Sequence, residues 1–123
     1  MKKLIFTTTS IAILSGIVAS APLAAETLYS WHGYQEKSYK YLKKNDASSY
    51  KNLVKCYESI ISSQTLGRRT VPPGIYADYG WILIKNGEIE KGKAMLQKEM
   101  ELYPESSTFI TRILKRFENE EQK

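Results

Sequence analysis

Residues 73–106 read PGIYADYGWILIKNGEIEKGKAMLQKEMELYPES, and this stretch decides the fold. Apolar and small residues recur in it every three or four positions on both sides of Asn86-Gly87, which is the spacing of one helix face. Asn-Gly is a turn signal. Pro104 ends the second periodic segment, because proline lacks an amide hydrogen and restricts the residue before it. The stretch therefore predicts two antiparallel helices joined by a tight turn.

Seven features of this stretch follow the pattern of one tetratricopeptide repeat, whose period is about 34 residues. They are Tyr76, Tyr79-Gly80, Leu83, Gly87, Gly92, Leu96 and Pro104. We expect Gly80 and Gly92 to lie where the two helices cross most closely, with larger side chains on either side. An ordinary helical hairpin has nearly the same shape and stays open as an alternative. The predicted fold is all-α, built from tetratricopeptide-like helical hairpins.

Helical spacing continues through most of residues 26–123, and no alternating run is long enough for a strand. Five helices can be drawn. The first ends near Lys44, Asp46 caps the second, and Gly67 is placed to end it in a left-handed conformation. The third starts at or just after Pro73. A single repeat cannot bury its own face, so the first two helices are expected to act as a degenerate repeat.

The fifth helix is expected to begin after Ser106 or Ser107 and to close the stack as a C-terminal cap. Its predicted buried side chains are Phe109, Ile110, Ile113, Leu114 and Phe117. The domain prediction is thus one helical domain at residues 26–123, with its best repeat at 73–106.

The first 25 residues have the pattern of a secretory signal peptide. Lys2 and Lys3 form a basic start, and residues 4–18 are mostly apolar and shorter than the ~20 residues that a spanning helix needs. Small residues follow, so we expect cleavage after Ala25, with a cut after Ser20 as the competing site. The remaining chain is predicted to be exported.

The charge balance gives no strong indication of a nucleic-acid partner. Without Lys2 and Lys3 the chain has 16 basic and 13 acidic residues, a modest excess. The basic residues are concentrated at 26–72, where eight of them face four acidic ones. Such a region could meet anionic lipid headgroups or an acidic partner, although solvated helix faces explain it as well.

The inventory of reactive side chains is small, and it predicts no catalytic, cofactor-binding or metal-binding residues. The chain has one histidine, His32, and one cysteine, Cys56, and it has no glycine-rich phosphate loop. We expect His32 to pack among aromatic residues, and Cys56 to be an inert thiol in a helix core, with an intermolecular disulfide as the alternative. Asp78 and Glu99 are interpreted as isolated acids on polar helix faces. The chain is therefore not expected to be an enzyme.

Four strings of the sequence resemble a family of bacterial envelope lipoproteins known as domain of unknown function 4810. They are LYSWHGY at 28–34, RTVPPGIYADYG at 69–80, Lys98-Glu99 and YPESS at 103–107. The resemblance implies a gene neighbourhood with a homologue of the curli secretion channel and a second small envelope lipoprotein, hence a shared outer-membrane assembly. It implies no established activity. Family members usually carry a lipid-modified cysteine before the Tyr-Trp stretch, where this chain has Ala24-Ala25, so a soluble periplasmic form or one peripheral to the outer membrane is expected.

Two functions follow as expectations. The first is a non-catalytic interaction module, an accessory subunit of such an envelope assembly; the alternative is a binder of an anionic lipid headgroup or glycan through the basic N-terminal half. In tetratricopeptide repeats the first helix of each pair lines the concave groove. The positions that correspond here, and that are predicted to bind a partner, are Ala77, Trp81, Ile84 and Lys85. Alternatively, residues 28–34 fold back over Trp81 and fill the groove.

Overall fold

The computed structural model describes residues 28–123, which form five α-helices and no strand. The helices are α1 (Tyr34–Lys44), α2 (Ala47–Ser62), α3 (Ile75–Lys85), α4 (Ile89–Leu102) and α5 (Ser107–Glu121), with a short 3-10 helix at Pro104–Ser106. The all-α prediction is confirmed. The predicted signal peptide at residues 1–25 lies outside the described residues. None of the described helices combines the length and the apolar character needed to cross a membrane.

The first hairpin joins α1 to α2 through two capping residues. Asn45 ends α1 in the left-handed region, with φ of 48°, and Asp46 caps α2 by accepting a hydrogen bond from the Ser49 amide at 2.7 Å. The Ser49 hydroxyl lies 3.3 Å from the Asp46 amide and accepts its hydrogen, which completes a capping box. The expected role of Asp46 is confirmed.

The C-terminus of α2 differs from the prediction, because the helix ends at Ser62 and not near Gly67. The Gln64 side-chain amide donates to the Ile60 carbonyl at 2.7 Å, so a side chain satisfies an end of the helix without a left-handed glycine. Gly67 instead lies in the loop, where it faces Leu28.

The second hairpin packs α3 against α4 with their backbones in contact. A Cβ built on Gly80 would lie 2.7 Å from the Gly92 carbonyl oxygen, and one built on Gly92 would lie 2.6 Å from the Gly80 carbonyl oxygen. Leu83 and Leu96 are fully buried beside this crossing. Gly87 makes the turn with φ of 89°. The predicted register of the repeat is confirmed.

The last helix covers the end of this hairpin through one face. Ile110 is fully buried against Ile84 and Leu96, and Phe117 is partly buried. Phe109 was predicted to be buried, but 62% of its surface is exposed. The reason is helical geometry. Neighbouring residues of a helix point about 100° apart, so Phe109 faces away from the hairpin when Ile110 faces it.

The core contains one cysteine and one carboxylate. Cys56 is 1% exposed, and burial raises the pKa of its thiol above the usual value, as expected for an inert core residue. Glu99 was predicted on a polar face, but it is 2% exposed. Its Oε1 accepts a hydrogen bond from the Gly74 amide at 2.6 Å, at the positive N-terminus of α3. The prediction was wrong because the hydrogen-bond partner of Glu99 lies outside α4, at the residue that precedes α3.

We predict that Gly80→Ala lowers the free energy of unfolding by about 1–3 kcal/mol, because its methyl group would overlap the α4 backbone. The loss should appear although alanine favours helices by about 1 kcal/mol over glycine. Urea denaturation measures it. Gly67→Ala is the matched control, since its Cβ would meet nothing closer than 3.7 Å. Equal stability of the Gly80 variant and the wild type would contradict the crossing.

Candidate interaction groove

An apolar groove with a volume of about 490 Å³ lies between α3 and α5. Its lining residues are Ala77, Asp78, Trp81, Phe109, Ile113 and Arg116. Apolar side chains make up most of the groove surface, and the Arg116 guanidinium and the Asp78 carboxylate lie among them. Grooves of this size and character are typical binding sites.

Trp81 is the largest side chain of the α3 wall and is half-buried. Its ring lies 5.3 Å from the ring of Phe117, at an interplanar angle of 43°. A second cleft, also of about 490 Å³, lies against this aromatic pair and reaches Lys85, and Arg116 lines both clefts. The two clefts therefore border a shared set of side chains along α3 and α5.

Three of the four residues predicted to bind a partner line these clefts with exposed or half-buried side chains. They are Ala77, Trp81 and Lys85. Ile84 also lines one of the clefts, but only 8% of its surface is exposed, so its assignment away from the buried face was wrong. The cause is Gly92, because a Cβ there would lie 2.5 Å from Ile84 Cγ1 and would exclude the isoleucine.

Residues 28–34 do not provide the aromatic ring that packs on Trp81, which comes from α5. This segment lies instead on the loop after α2, where the Ser30 amide donates to Gln64 Oε1 at 2.9 Å. His32 is exposed and its Nε2 is hydrogen-bonded to the Ser63 carbonyl at 2.9 Å, so its expected aromatic packing was wrong. The alternative in which this segment folds back over Trp81 and fills the groove was therefore wrong, since the ring that packs on Trp81 is that of Phe117.

Sequence reasoning missed the α5 wall of the groove. Phe109, Ile113 and Arg116 are spaced at i, i+4 and i+7, which places them along one helix face. That spacing was visible in the sequence. It was masked because Phe109 and Ile113 also fit the apolar stripe that was assigned to the core.

A buried polar network lies beside the groove and fixes Asp78. Its Oδ2 accepts a hydrogen bond from the Tyr34 hydroxyl at 2.5 Å and another from the Tyr57 hydroxyl. Burial first, and then the neighbouring Asp78 carboxylate, raise the pKa of both phenols well above the usual value. Both phenols therefore stay protonated and act as donors at neutral pH. The network ties α1 and α2 to α3.

The chemistry available at the groove is recognition of apolar, aromatic and charged groups. The Arg116 guanidinium is 3.5 Å from Glu120, one turn further along α5, and it is mostly exposed. Arginine can bind a carboxylate or a carbonyl with a planar set of donors. Within residues 28–123, no cluster of three or more histidine, cysteine or acidic side chains is arranged to hold a metal ion.

The paired helices, the glycine crossing and the groove along the first helix of the pair define a tetratricopeptide-like helical module. The chain belongs to the family described as domain of unknown function (DUF4810), which matches residues 28–113, more than two thirds of the sequence. No curated protein and no solved structure was found to match it. The match includes Phe109 and Ile113 of the groove and ends before Phe117.

We predict that Asp78→Ala lowers the free energy of unfolding by about 2–4 kcal/mol, since each buried donor left without an acceptor costs about 1–3 kcal/mol. The affected donors are the hydroxyls of Tyr34 and Tyr57. Asp78→Asn keeps one acceptor oxygen in place and should lose less than half as much. Urea denaturation of both variants measures the difference. Equal losses for the two variants would mean that the carboxylate oxygen is not the acceptor.

The groove also predicts opposite roles for its two large aromatic residues. Trp81→Ala should lower the free energy of unfolding by about 2–3 kcal/mol, below the ~3–5 kcal/mol for a fully buried aromatic, because the ring is half-exposed. Phe109→Ala should change it by less than about 0.5 kcal/mol, as for other exposed positions. Thermal and urea denaturation give both values. A large loss for Phe109→Ala would place this ring in the core instead of on the groove.

Proposed function

We propose that this protein is a non-catalytic interaction module of the bacterial envelope, which binds a protein partner in the groove between α3 and α5. The exposed ring of Phe109 carries the proposal. A phenylalanine with 62% of its surface in water, next to Trp81 and Ile113, forms an apolar surface that a partner would cover. Aromatic residues of this kind most often provide the binding energy of protein interfaces.

The arrangement of the clefts supports an elongated partner. Two clefts of about 490 Å³ each share Trp81 and Arg116, and both are open at the surface. A helix or an extended segment that follows α3 could contact both at once. Lys85 in one cleft and Arg116 in both could then bond to carbonyl or carboxylate groups of that segment.

The proposed place of this interaction is an assembly at the outer membrane. Membership of the DUF4810 family supports it, since the resemblance implies a curli-channel-like homologue and a second small lipoprotein as neighbours. The signal-peptide pattern of residues 1–25 supports export to the periplasm. These two envelope proteins are the partners that we propose to test first.

The alternative function, binding of an anionic ligand by the basic N-terminal half, has weaker support. A cleft of about 260 Å³ is lined by Lys37, Lys40 and Lys44, but Glu36 and Asp46 line it as well. Lys40 pairs with Glu36 at 2.5 Å, and the Lys37 ammonium donates to the His32 carbonyl at 2.8 Å. Two of the three cations are thus already bonded within the chain.

The proposed function predicts that Phe109→Glu weakens partner binding by at least about 30-fold, the effect of losing one interface anchor. The measurement is recovery of the two candidate partners with the tagged full chain, expressed in its own host and purified from detergent-extracted envelopes. Leu42→Glu is the matched control, because Leu42 is 78% exposed on α1 and lies outside the groove.

Equal recovery with Phe109→Glu and Leu42→Glu would contradict the groove as the binding face. Absence of both candidate partners from the wild-type sample would contradict the proposed assembly. Circular dichroism of both variants checks that each remains helical.

A further inference from the structure

A second group of exposed apolar side chains lies at the start of the described chain and on the loop after α2. It consists of Leu28 and Trp31, which precede α1, and Leu66, which follows α2; their exposed fractions are 47%, 39% and 40%. Arg68 and Arg69 continue the loop from Leu66. We call these five residues the N-terminal patch. It shares no residue with the groove between α3 and α5.

Hydrogen bonds hold the two parts of the patch together. The Arg68 amide donates to the Leu28 carbonyl at 3.1 Å, and the Arg69 amide donates to the Leu66 carbonyl at 2.8 Å. A Cβ on Gly67 would lie 3.7 Å from Leu28 Cδ2, which is ordinary contact. The leucines and the arginines are therefore presented by one connected piece of backbone.

The charged side chains of the N-terminal patch are all positive. Residues 28–35 and 63–74, which supply the patch and its flanks, contain Arg68 and Arg69 and no aspartate or glutamate. Neither arginine forms an ion pair within residues 28–123, in contrast to Arg116 and Lys40, which do. Both guanidinium groups are thus available to an external anion.

The patch also follows closely on the most apolar part of the sequence. Residues 4–18 end ten positions before Leu28. Ten residues of fully extended chain reach about 35 Å. If this apolar segment enters a bilayer during export, as a signal peptide does, the patch comes to within that distance of the lipid surface.

We propose that the N-terminal patch binds the surface of an anionic lipid bilayer. Leucine and tryptophan side chains enter the boundary between headgroups and acyl chains, where the amphipathic indole is favoured. The two arginines lie at the level of the lipid phosphates, where each contributes attraction that salt screens. The groove between α3 and α5 would then bind its partner at the membrane surface.

The first test is partition of the chain that the expected cleavage leaves, residues 26–123, onto vesicles made of equal parts of phosphatidylcholine and phosphatidylglycerol. Each arginine near an anionic surface contributes about fivefold in binding, so Arg68→Gln with Arg69→Gln should reduce partition about 25-fold. Lys43→Gln with Lys51→Gln removes the same charge from the opposite end of the α1–α2 hairpin and is the control, with an expected loss below about threefold. Equal losses of vesicle binding for the arginine variant and the lysine variant would overturn the proposal, because the attraction would then depend on total charge and not on the patch.

The second test uses the same chain, residues 26–123, and locates the contact. The chain has two tryptophans, so Trp81→Phe leaves Trp31 as the only one, and Trp31→Phe leaves Trp81. Lipids brominated in the acyl chains should quench the fluorescence of Trp31 and not that of Trp81. Adding Leu66→Ser, Arg68→Gln and Arg69→Gln to the Trp81→Phe chain should abolish the quenching.

An unquenched Trp31, or quenching that persists in this multiple variant, would overturn the proposal. Phe109→Glu should leave vesicle binding unchanged, so failure of the groove hypothesis and failure of this one are distinguishable.

Discussion

The backbones of α3 and α4 touch at Gly80 and Gly92, and the rest of the module depends on this contact. Because no side chain separates the helices there, Ile84 packs over Gly92, and it forms with Leu96 the surface that Ile110 of α5 covers. A helix that docks on this surface lies against both α3 and α4. The groove is thus a consequence of how closely α3 and α4 approach each other.

A second set of interactions joins the first hairpin to this unit. Tyr57 stacks on Tyr79 with ring centroids 5.0 Å apart, and its hydroxyl shares the Asp78 carboxylate with Tyr34. Hydrophobic burial is nondirectional, whereas hydrogen bonds to the shared carboxylate fix the relative position of three helices. Asp78 also lines the groove, so the network that stabilises the fold fixes part of the binding surface. A rigid groove loses less conformational entropy when a partner binds.

Local sequence signals predicted the features that depend on local physics. The turn at Asn86-Gly87, the cap at Asp46 and the small residues at the crossing follow from spacing and backbone preference. The burial of Glu99 and the role of Asp78 did not, because each carboxylate accepts a hydrogen bond from a distant part of the chain. The exposure of Phe109 was missed for a related reason. An apolar residue at helical spacing indicates a face, but only the position of the neighbouring helix decides whether that face is a core or a groove.

The most direct measurement of the crossing is a proton NMR experiment on the folded protein. We expect nuclear Overhauser contacts between the Hα protons of Gly80 and Gly92, together with contacts between the ring protons of Trp81 and Phe117. The first set reports the backbone contact of α3 and α4, and the second reports the docking of α5 that forms the groove. If the Hα protons of Gly80 showed contacts only within α3, the helices would not cross there, and both the stack and the groove that depends on it would be contradicted.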